Sequence, residues 1–444
     1  MRLPMDVLQC LEALEGASFA TYAVGGCVRD HLLGLQPHDF DLCTAATPDE
    51  IQAVFSDRQL VLAGLKHGTV GIVTDSGVVE ITTFRSEGGY TDCRHPGWVK
   101  FVPTIEEDLA RRDFTVNAMA WSPSRGLCDP FGGAVDLKNK ILRAVGDPMV
   151  RFQEDALRIL RGTRFAAKFR LTVEEATEAA MFRQVPLLDG LARERIFDEL
   201  CKLILLANAA DLIHWAPIIT QAIPELEPTV GFEQHSPYHA YDLYTHIAHV
   251  TAATAPDLPL RWAALLHDVG KPGTFSRDEN GRGHFYGHAK VGASLTDGIL
   301  HRLKAPTALR EQVVQLVEQH MNRLEPERKL LRRRLSRLGE DSVKRLLALQ
   351  EADMGSKGTE DEASNAYFTE IRRLLAEIKE ENACLTLKDL AVKGSDLIRM
   401  GYLPGKALGR CLQRLLELVL DEKLPNDRAA LLAAAETYLQ EETP

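Results

Sequence analysis

At "VGDPMVRF" (residues 145–152) the chain changes its period. Before this point, short runs rich in Val, Ile and Thr alternate with helical stretches. After it, apolar residues recur at three- and four-residue spacing through "EDALRILRGTRFAAKF", "RERIFDELCKLILL" and "ALREQVVQLVEQH", the period of a half-buried helix. Asp147 and Pro148 are placed to start that first helix. A chain with its strands confined to the first third must close one small sheet early and bury helices against helices thereafter. The expected fold class is therefore α+β: an α/β head followed by all-α segments. The 444 residues allow two to four domains. Breaks are expected at Pro- and acid-rich 222–239 and at polar 354–368.

In the head, "FATYAVGG" reads as a strand closed by glycines and "CVRDHLLG" as a helix stopped by Gly34. "LVLAGLKHGTVGIVTD" and "GVVEITTFR" read as strands. "TPDEIQAVF" opens a helix with Thr47 as N-cap, Pro48 at the first position and Glu50 closing a capping box. "TIEEDLARRDFTVNAMA" carries the same device in Thr104 and Glu107.

Composition (45% hydrophobic, 26% charged) is that of a globular protein, and no apolar run approaches the ~18 residues of a membrane span. The N-terminus lacks the pattern of a signal peptide. Eight cysteines without a CxxC pair read as reduced thiols, so a cytoplasmic location is expected. The net charge of −11 argues against nucleic acid as a sum. Two basic runs argue the other way: 151–170 with Arg151, Arg158, Arg161, Arg164, Lys168 and Arg170, and 323–337 with Arg323, Arg328, Lys329, Arg332, Arg333, Arg334 and Arg337. Each is either a solvated helix face or the footprint of a phosphate-rich ligand.

The chemistry begins at "PHDFDLCTAA". On a strand, Asp39 and Asp41 would share a face, where two buried carboxylates repel unless a cation lies between them. Oxygen-only ligands suit Mg²⁺ with substrate phosphates; the alternative is a polar turn capping the next helix. "VVEITTFR" offers Glu80 as a third acid or as an ordinary surface residue. Upstream, Gly25, Gly26 and Arg29 suit an anion at a helix start. "RRDFTVNA" adds Arg112 for a triphosphate and Asp113 and Asn117 for ribose hydroxyls or supporting contacts, or else an intrahelical ion pair. In "EDALRILRGTRF", Asp155 and Arg158 stand three apart, as neighbours on a helix. A carboxylate accepts from an amino group, and a guanidinium donates to a ring nitrogen. Together they can take the edges of C and A, and reject U and G, which present a carbonyl and a ring N–H there. A surface salt bridge is the other reading. Arg161 and Arg164 follow on nearby faces and can meet phosphates.

The strings "GGCVRDHLLG", "DFD", "EITTFR", "RRDFTVNAMA" and "EDALRILRGTRF", in this order over about residues 20–170, resemble the bacterial (class II) tRNA nucleotidyltransferases, the CCA-adding enzymes, and their poly(A) polymerase relatives. The resemblance implies a nucleotidyltransferase head (1–146), a neck with nucleotide-selecting and RNA-binding helices (147–221), a body (222–357) and a tRNA-holding tail (358–444). It implies Mg²⁺ on Asp39 and Asp41, with Glu80 beside them, and Asp155 and Arg158 as an amino-acid template for C and A. Gly26, Arg29, Arg112, Asp113, Asn117, Arg161 and Arg164 would handle the nucleotide. CTP, ATP and tRNA are the implied partners. "TFRSEGGYTDCRHPGWVKF" resembles the loop of CCA- and A-adding members, and "LAGLKHGTV" looks like the CCA type; A-only addition and poly(A) synthesis are the alternatives.

A second motif lies downstream. "YTHIAHV", "AALLHDVGKPGTF" and "LQEADM" supply His246, His267, Asp268 and Asp353, which resemble the His…His-Asp…Asp ligands of HD phosphohydrolase domains. His288 and His320 are candidates for a second metal or for phosphate contacts. Met321 stands where many such relatives carry Asp. Imidazole ligands suit Mn, Ni, Fe or Zn, and the implied activity is that of a phosphatase or 2′,3′-cyclic phosphodiesterase. A signalling nucleotidyltransferase with an HD hydrolase is a rival, opposed by the motif order, the helical tail and a base-reading pair that disfavours uridine. A catalytically dead RNA-binding protein is opposed by the intact Asp39 and Asp41.

Overall fold

Among the described residues, seven strands form one mixed sheet. They are β1 (Thr21–Val24), β2 (Asp41–Thr44), β3 (Leu60–Val61), β4 (Thr69–Thr74), β5 (Gly77–Thr83), β8 (Ala120–Ser122) and β9 (Gly126–Cys128), in the order β3-β4-β5-β2-β1-β8-β9. The structure, a computed structural model, describes residues 1–37, 39–75, 77–88, 97–235, 240–356 and 362–442. A separate hairpin pairs β6 (Arg85–Gly88) with β7 (Trp98–Phe101); the centre of the expected flexible loop lies outside the described residues. β2 runs parallel to β5 with Leu42 opposite Ile81, and antiparallel to β1 with Asp41 opposite Val24. In β5, Val79, Ile81 and Thr83 are buried while Val78 and Glu80 face out, the two-residue alternation of a half-buried strand.

Around the sheet lie α1 (Met5–Gly16), α2 (Gly26–Leu32), α3 (Pro48–Val54), α4 (Ile105–Ala110) and α5 (Gly133–Lys138). The capping box of α3 is formed: Thr47 N donates to Glu50 Oε2 (2.7 Å) and Glu50 N to Thr47 Oγ1 (3.4 Å). At α4 the Thr104 hydroxyl instead donates to the Glu107 carboxylate (2.9 Å), and no side-chain cap to the backbone forms. Tyr22, Val24, Phe84, Leu109 and Val145 share the core between α4 and the sheet.

The helical part follows: α6 (Pro148–Glu154), α7 (Leu157–Phe169), α8 (Glu175–Arg183), α9 (Arg193–Ile204), α10 (Ala209–His214) and α11 (Ala216–Ala222). Asp147 caps α6, accepting from Met149 N at 2.8 Å. The chain divides into two units, one of Met1–Glu227 with Arg302–Ala305 and the other of Pro228–His301 with Pro306–Pro444. The second unit contains α12 (Leu243–Ala253), α13 (Leu258–Leu266), α14 (His288–Arg302), α15 (Thr307–Gln319), α16 (Arg328–Leu338), α17 (Glu340–Gly355), α18 (Glu362–Glu380), α19 (Gly394–Arg399), α20 (Lys406–Leu420) and α21 (Arg428–Glu442). Its last helices enclose a core of Val392, Leu397, Tyr402, Leu415, Val419 and Leu431.

Several expectations are corrected. The strand over 60–75 is two, β3 and β4, separated by a 3₁₀ turn at Leu65–His67 that Gly68 ends at φ +77°. β2 begins at Asp41, so Asp39 precedes the strand instead of sharing its face. The helix across 154–165 is broken: Asp155 is extended (φ −143°, ψ 102°) between α6 and α7. Asp113 and Asn117 follow the end of α4, at a helix end as expected, with Asn117 in the 3₁₀ turn Thr115–Asn117. Two short strand pairs interrupt the helical part, Ile141–Leu142 with Thr172–Val173 and Ser276–Arg277 with Gly283–His284. The polar stretch 354–368 is mostly the ends of α17 and α18; residues 357–361 lie outside the described residues.

Candidate active site

The first unit carries two cavities that meet at Asp41. One, of about 1200 Å³, is lined by Asp39, Asp41 and Glu80. The parallel register of β2 on β5 sets Asp41 next to Glu80, 39 residues away in sequence. Burial pushes the Asp41 carboxyl up, and the Glu80 and Asp39 carboxylates add to the push, while Arg112 opposes it. An all-oxygen set of mutually repelling carboxylates is the donor chemistry of a hard divalent cation.

The other cavity, of about 390 Å³, is lined by Gly25, Gly26, Arg29, Asp41, Arg112, Asp113, Asn117, Asp155, Arg158, Arg161 and, unexpected from sequence, Arg195 and Phe165. Gly25 sits at φ +71°, and a Cβ there would lie 2.6 Å from Arg112 Nη1. The guanidinium of Arg112 can cross this turn only because residue 25 is glycine. Arg112 reaches Asp108 (3.4 Å), yet its Nε is buried and makes no hydrogen bond among the described residues, an orphan donor a phosphate oxygen would satisfy.

Arg29 is held from both sides. Its Nε donates to Asp30 (2.8 Å), its Nη1 donates to Asn117 Oδ1 (2.5 Å), and its guanidinium stacks 4.4 Å over Phe169. Asn117 in turn donates to Asp113 Oδ1 (3.0 Å), which also accepts from Phe114 N (2.8 Å). Asp113 Oδ2 accepts from Arg161 Nε (2.8 Å) and Nη2 (2.6 Å). Burial alone would raise the Asp113 carboxyl; the Arg161 guanidinium and the Asn117 amide bring it down to about 2. Asp113 is thus a buried girder between α7 and the 3₁₀ turn Thr115–Asn117, and Arg29 and Asn117 brace it.

Asp155 and Arg158 do not pair with each other. Asp155 Oδ2 accepts from Arg195 Nη2 (3.0 Å) on α9, and Oδ1 from Leu157 N (3.1 Å). Arg158 donates to Arg151 O (3.0 Å), Glu154 (2.9 Å) and Arg111 O (2.9 Å). Of its five N–H donors, two remain for the cavity. Arg164 departs from expectation: its Nε donates to Glu199 (2.5 Å) on α9, and it is absent from the cavity wall. Arg195 and Glu199, one turn apart on α9, hold Asp155 and Arg164; their i,i+4 spacing in "RERIFDEL" was the available signal.

In the second unit, α12, α13, α14, α15 and α17 bring together His246, His267, Asp268, His288, His320 and Asp353. His246 with His267 and Asp268, and Asp268 with His288 and His320, each gather ligand atoms within 4.8 Å. His246 Nε2 lies 3.2 Å from Asp353, and His267 Nε2 lies 3.1 Å from Asp268. The Nδ1 atoms of His267, His288 and His320 sit 2.8, 2.8 and 2.6 Å from the carbonyls of Ala264, Phe285 and Val317. Each Nε2 is thereby turned inward, the orientation that metal-ligating imidazoles take. His267 Nε2 is buried and makes no hydrogen bond among the described residues. Lys271 Nζ also reaches Asp268 (2.7 Å). Despite burial, His267 and Lys271 hold the Asp268 carboxyl well below the usual range.

Family models match the chain in three stretches: the poly A polymerase head domain over 21–143, the RNA and SrmB-binding site of polymerase A over 170–214, and tRNA nucleotidyltransferase domain 2 over 289–435. The CCA-adding enzyme of Levilactobacillus brevis is 36% identical over 427 residues, covering 96% of this chain and 95% of the relative. That of Limosilactobacillus fermentum is 35% identical, covering 97% and 96%. The crystal structure of the Bacillus stearothermophilus CCA-adding enzyme with CTP superposes with a TM-score of 0.69 at 26% identity, covering 99% of both chains. The Thermotoga maritima CCA-adding enzyme with tRNA shares the fold, with a TM-score of 0.63 at 20% identity.

Proposed function

Because the chain belongs to the family of CCA-adding enzymes, we propose that it adds C, C and A to tRNA 3′ ends from CTP and ATP, without a nucleic-acid template, releasing pyrophosphate. One observation carries the reading for this chain's own residues: Asp41 is shared by a carboxylate cavity and a guanidinium-lined cavity. The carboxylate side suits the metal and the attacking hydroxyl, and the guanidinium side suits the triphosphate and base.

The family's nucleotidyltransferases use divalent metal ions, and Asp39 and Asp41, with Glu80 beside them, would hold Mg²⁺. When bound, the ion supplies Lewis-acid neutralisation of phosphate charge and a lower pKa for a bound hydroxyl. Arg112, through its orphan Nε, binds the triphosphate. Asp113, Asn117, Arg29 and Arg161 orient the wall that receives the ribose and phosphates. Asp155 accepts from N4 of cytosine or N6 of adenine, and Arg158 donates to N3 or N1 with its two spare N–H groups. U and G offer a carbonyl to Asp155 and an N–H to Arg158, so both contacts become repulsive. Residues 147–221 serve as neck, 222–357 as body and 358–444 as tail. Among the described residues no helix is long and apolar enough to cross a membrane, and the site of action is the cytoplasm.

The test uses three tRNAs, ending before CCA, after C and after CC, with labelled CTP or ATP and Mg²⁺. Extension of all three to CCA is expected. Extension of only the CC-ended tRNA, by one A, would make this an A-adding enzyme.

The buried cluster supports a second activity. The inward Nε2 atoms of His246, His267, His288 and His320 around Asp268, with Asp353 beside His246, suit a transition metal such as Mn, Ni, Fe or Zn and a metal-dependent phosphohydrolase acting on RNA ends. Such a metal would polarise a phosphoryl oxygen. Metal analysis of the purified protein, with assays on 2′,3′-cyclic and terminal phosphates, tests it: a metal-free, inactive protein after loading with each ion would reject it.

A further inference from the structure

The two basic runs of the sequence meet opposite fates. The first is mostly paired within the fold: Arg151 and Arg158 share Glu154, Arg161 meets Asp113, Arg164 Glu199 and Arg170 Asp211, while Lys168 lies over the Phe169 ring. The second is split by the faces of α16. Arg328 and Arg332 reach Glu422 (2.8 and 3.2 Å), and Arg333 and Lys329 reach Asp421 (2.7 and 3.7 Å). Residues 330, 334 and 337 follow i, i+4, i+7 spacing along another face. There Arg334 and Arg337, with Arg333 beside them and Arg323 from the preceding loop, line a cavity of about 360 Å³. Among the described residues, no carboxylate lies within ion-pair distance of Arg323, Arg334 or Arg337; Arg334 makes one side-chain hydrogen bond, to Gln319 (3.3 Å). Glu325, itself exposed, is the one acid on this wall. A neighbouring cavity of about 680 Å³ shares Arg333 and Arg337 and adds Ser336, Thr386, Gln413 and one carboxylate, Glu417.

Four guanidiniums concentrated on one cavity of a chain with net charge −11 are not explained by folding, because three of them make no ion pair among the described residues. Guanidiniums that outnumber the carboxylates beside them (Glu325 and Glu417), set among hydroxyl and amide side chains, are the set that meets a sugar-phosphate backbone, where charge neutralises phosphate and polar groups fix register. We propose that this face of α16 grips the phosphodiester backbone of the tRNA substrate, with Arg323, Arg334 and Arg337 as phosphate contacts. The inference rests on the reading that tRNA is the substrate. It adds where, in the second unit, the RNA backbone is held.

Each lost phosphate contact flattens the dependence of log affinity on log salt by about 0.7 to 0.9. The test is Arg334→Gln/Arg337→Gln in the full chain, chosen because neither side chain pairs with a carboxylate. Binding of labelled tRNA ending in CC is measured from 50 to 200 mM KCl, beside steady-state AMP addition. Expected are a salt slope shallower by about 1.5, a Kd and tRNA KM raised roughly tenfold at low salt, and unchanged kcat and KM for ATP. Arg334→Lys/Arg337→Lys should restore most of the slope, since a point charge serves a phosphate. Wild-type slope and Kd in the Gln variant would overturn the proposal. So would a raised KM for ATP with tRNA binding intact, which would mean a free nucleotide's phosphates sit there. If the wild type binds tRNA with the steeper slope but adds no nucleotide, the catalytic reading fails and the grip stands. If the wild type binds no tRNA, both fail.

Discussion

Asp113→Asn tests the girder of the nucleotide cavity. The substitution keeps shape and leaves one acceptor oxygen, but removes the charge that Arg161 faces. Asp113 is 7% exposed, so solvent screens little of the effect. Its carboxyl falls from an ordinary 3.8 to about 2 in the folded protein. Since the folded value is depressed, the stabilisation is complete above the unfolded pKa and is lost as pH falls through the folded one. At 1.36 kcal/mol per pKa unit, ionised Asp113 contributes about 2.5 kcal/mol at pH 7, about 1.3 at pH 3 and about 0.4 at pH 2. The Asn variant never had this contribution. Hydrogen exchange of peptides spanning 113–120 and 157–169 reads the difference without assuming that the whole chain unfolds as one. The variant should exchange roughly 60-fold faster than wild type at pH 7 and roughly tenfold faster at pH 3. A ratio near one at pH 7, or a ratio that does not shrink with acid, would refute the charge-assisted girder.

Asp41→Asn should cut CMP and AMP incorporation by at least ~100-fold, as expected for losing several kcal/mol of metal-assisted stabilisation, with tRNA affinity within about twofold of wild type; unchanged turnover would remove Asp41 from the centre. Gly25→Ala must push a Cβ against Arg112 at φ +71°, and should raise KM for both CTP and ATP about tenfold, the effect of ~1.4 kcal/mol; unaltered KM for both would mean that Arg112 does not hold the triphosphate. Arg158→Ala should admit UTP and GTP while circular dichroism stays native, and retained selectivity would sink the template role. His267→Ala should lower bound metal and abolish phosphohydrolysis while nucleotide addition persists; loss of addition as well would show that the two centres are coupled.

Local features were legible because local rules write them. The capping box at Thr47, the helix start at Asp147, the strand with Gly25 after it and the change of period at 145–152 each depend on residues within a few positions of one another. The residues to look at were legible too: "DFD", Asp155 with Arg158, and the His-Asp step at 267–268 each stand out in the sequence, and each lines a cavity or a buried cluster in the structure. Where a residue's neighbour is chosen by packing, the sequence was mute or misleading. Asp155 and Arg158 read as helix neighbours, but the chain breaks at Asp155, freeing its carboxylate for Arg195, 40 residues on. The basic runs read alike, yet one is mostly ion-paired inside the fold and the other leaves Arg334 and Arg337 to a cavity.

What the sequence by itself determined is the inventory: which segments can be strands, which must be helices, and where the carboxylate, guanidinium and imidazole groups stand along the chain. Tertiary structure alone decided the partners. Glu80 stands beside Asp41 because β2 and β5 pair in parallel, Asp113 meets Arg161 across 48 residues, and helices distant in sequence gather four histidines around Asp268, with Asp353 beside His246. The physical reason is range. Backbone periodicity, capping and turn chemistry act over one or two helical turns, so they leave a local signature. An ion pair or a metal site depends on which faces bury each other, and that choice is made by the whole core.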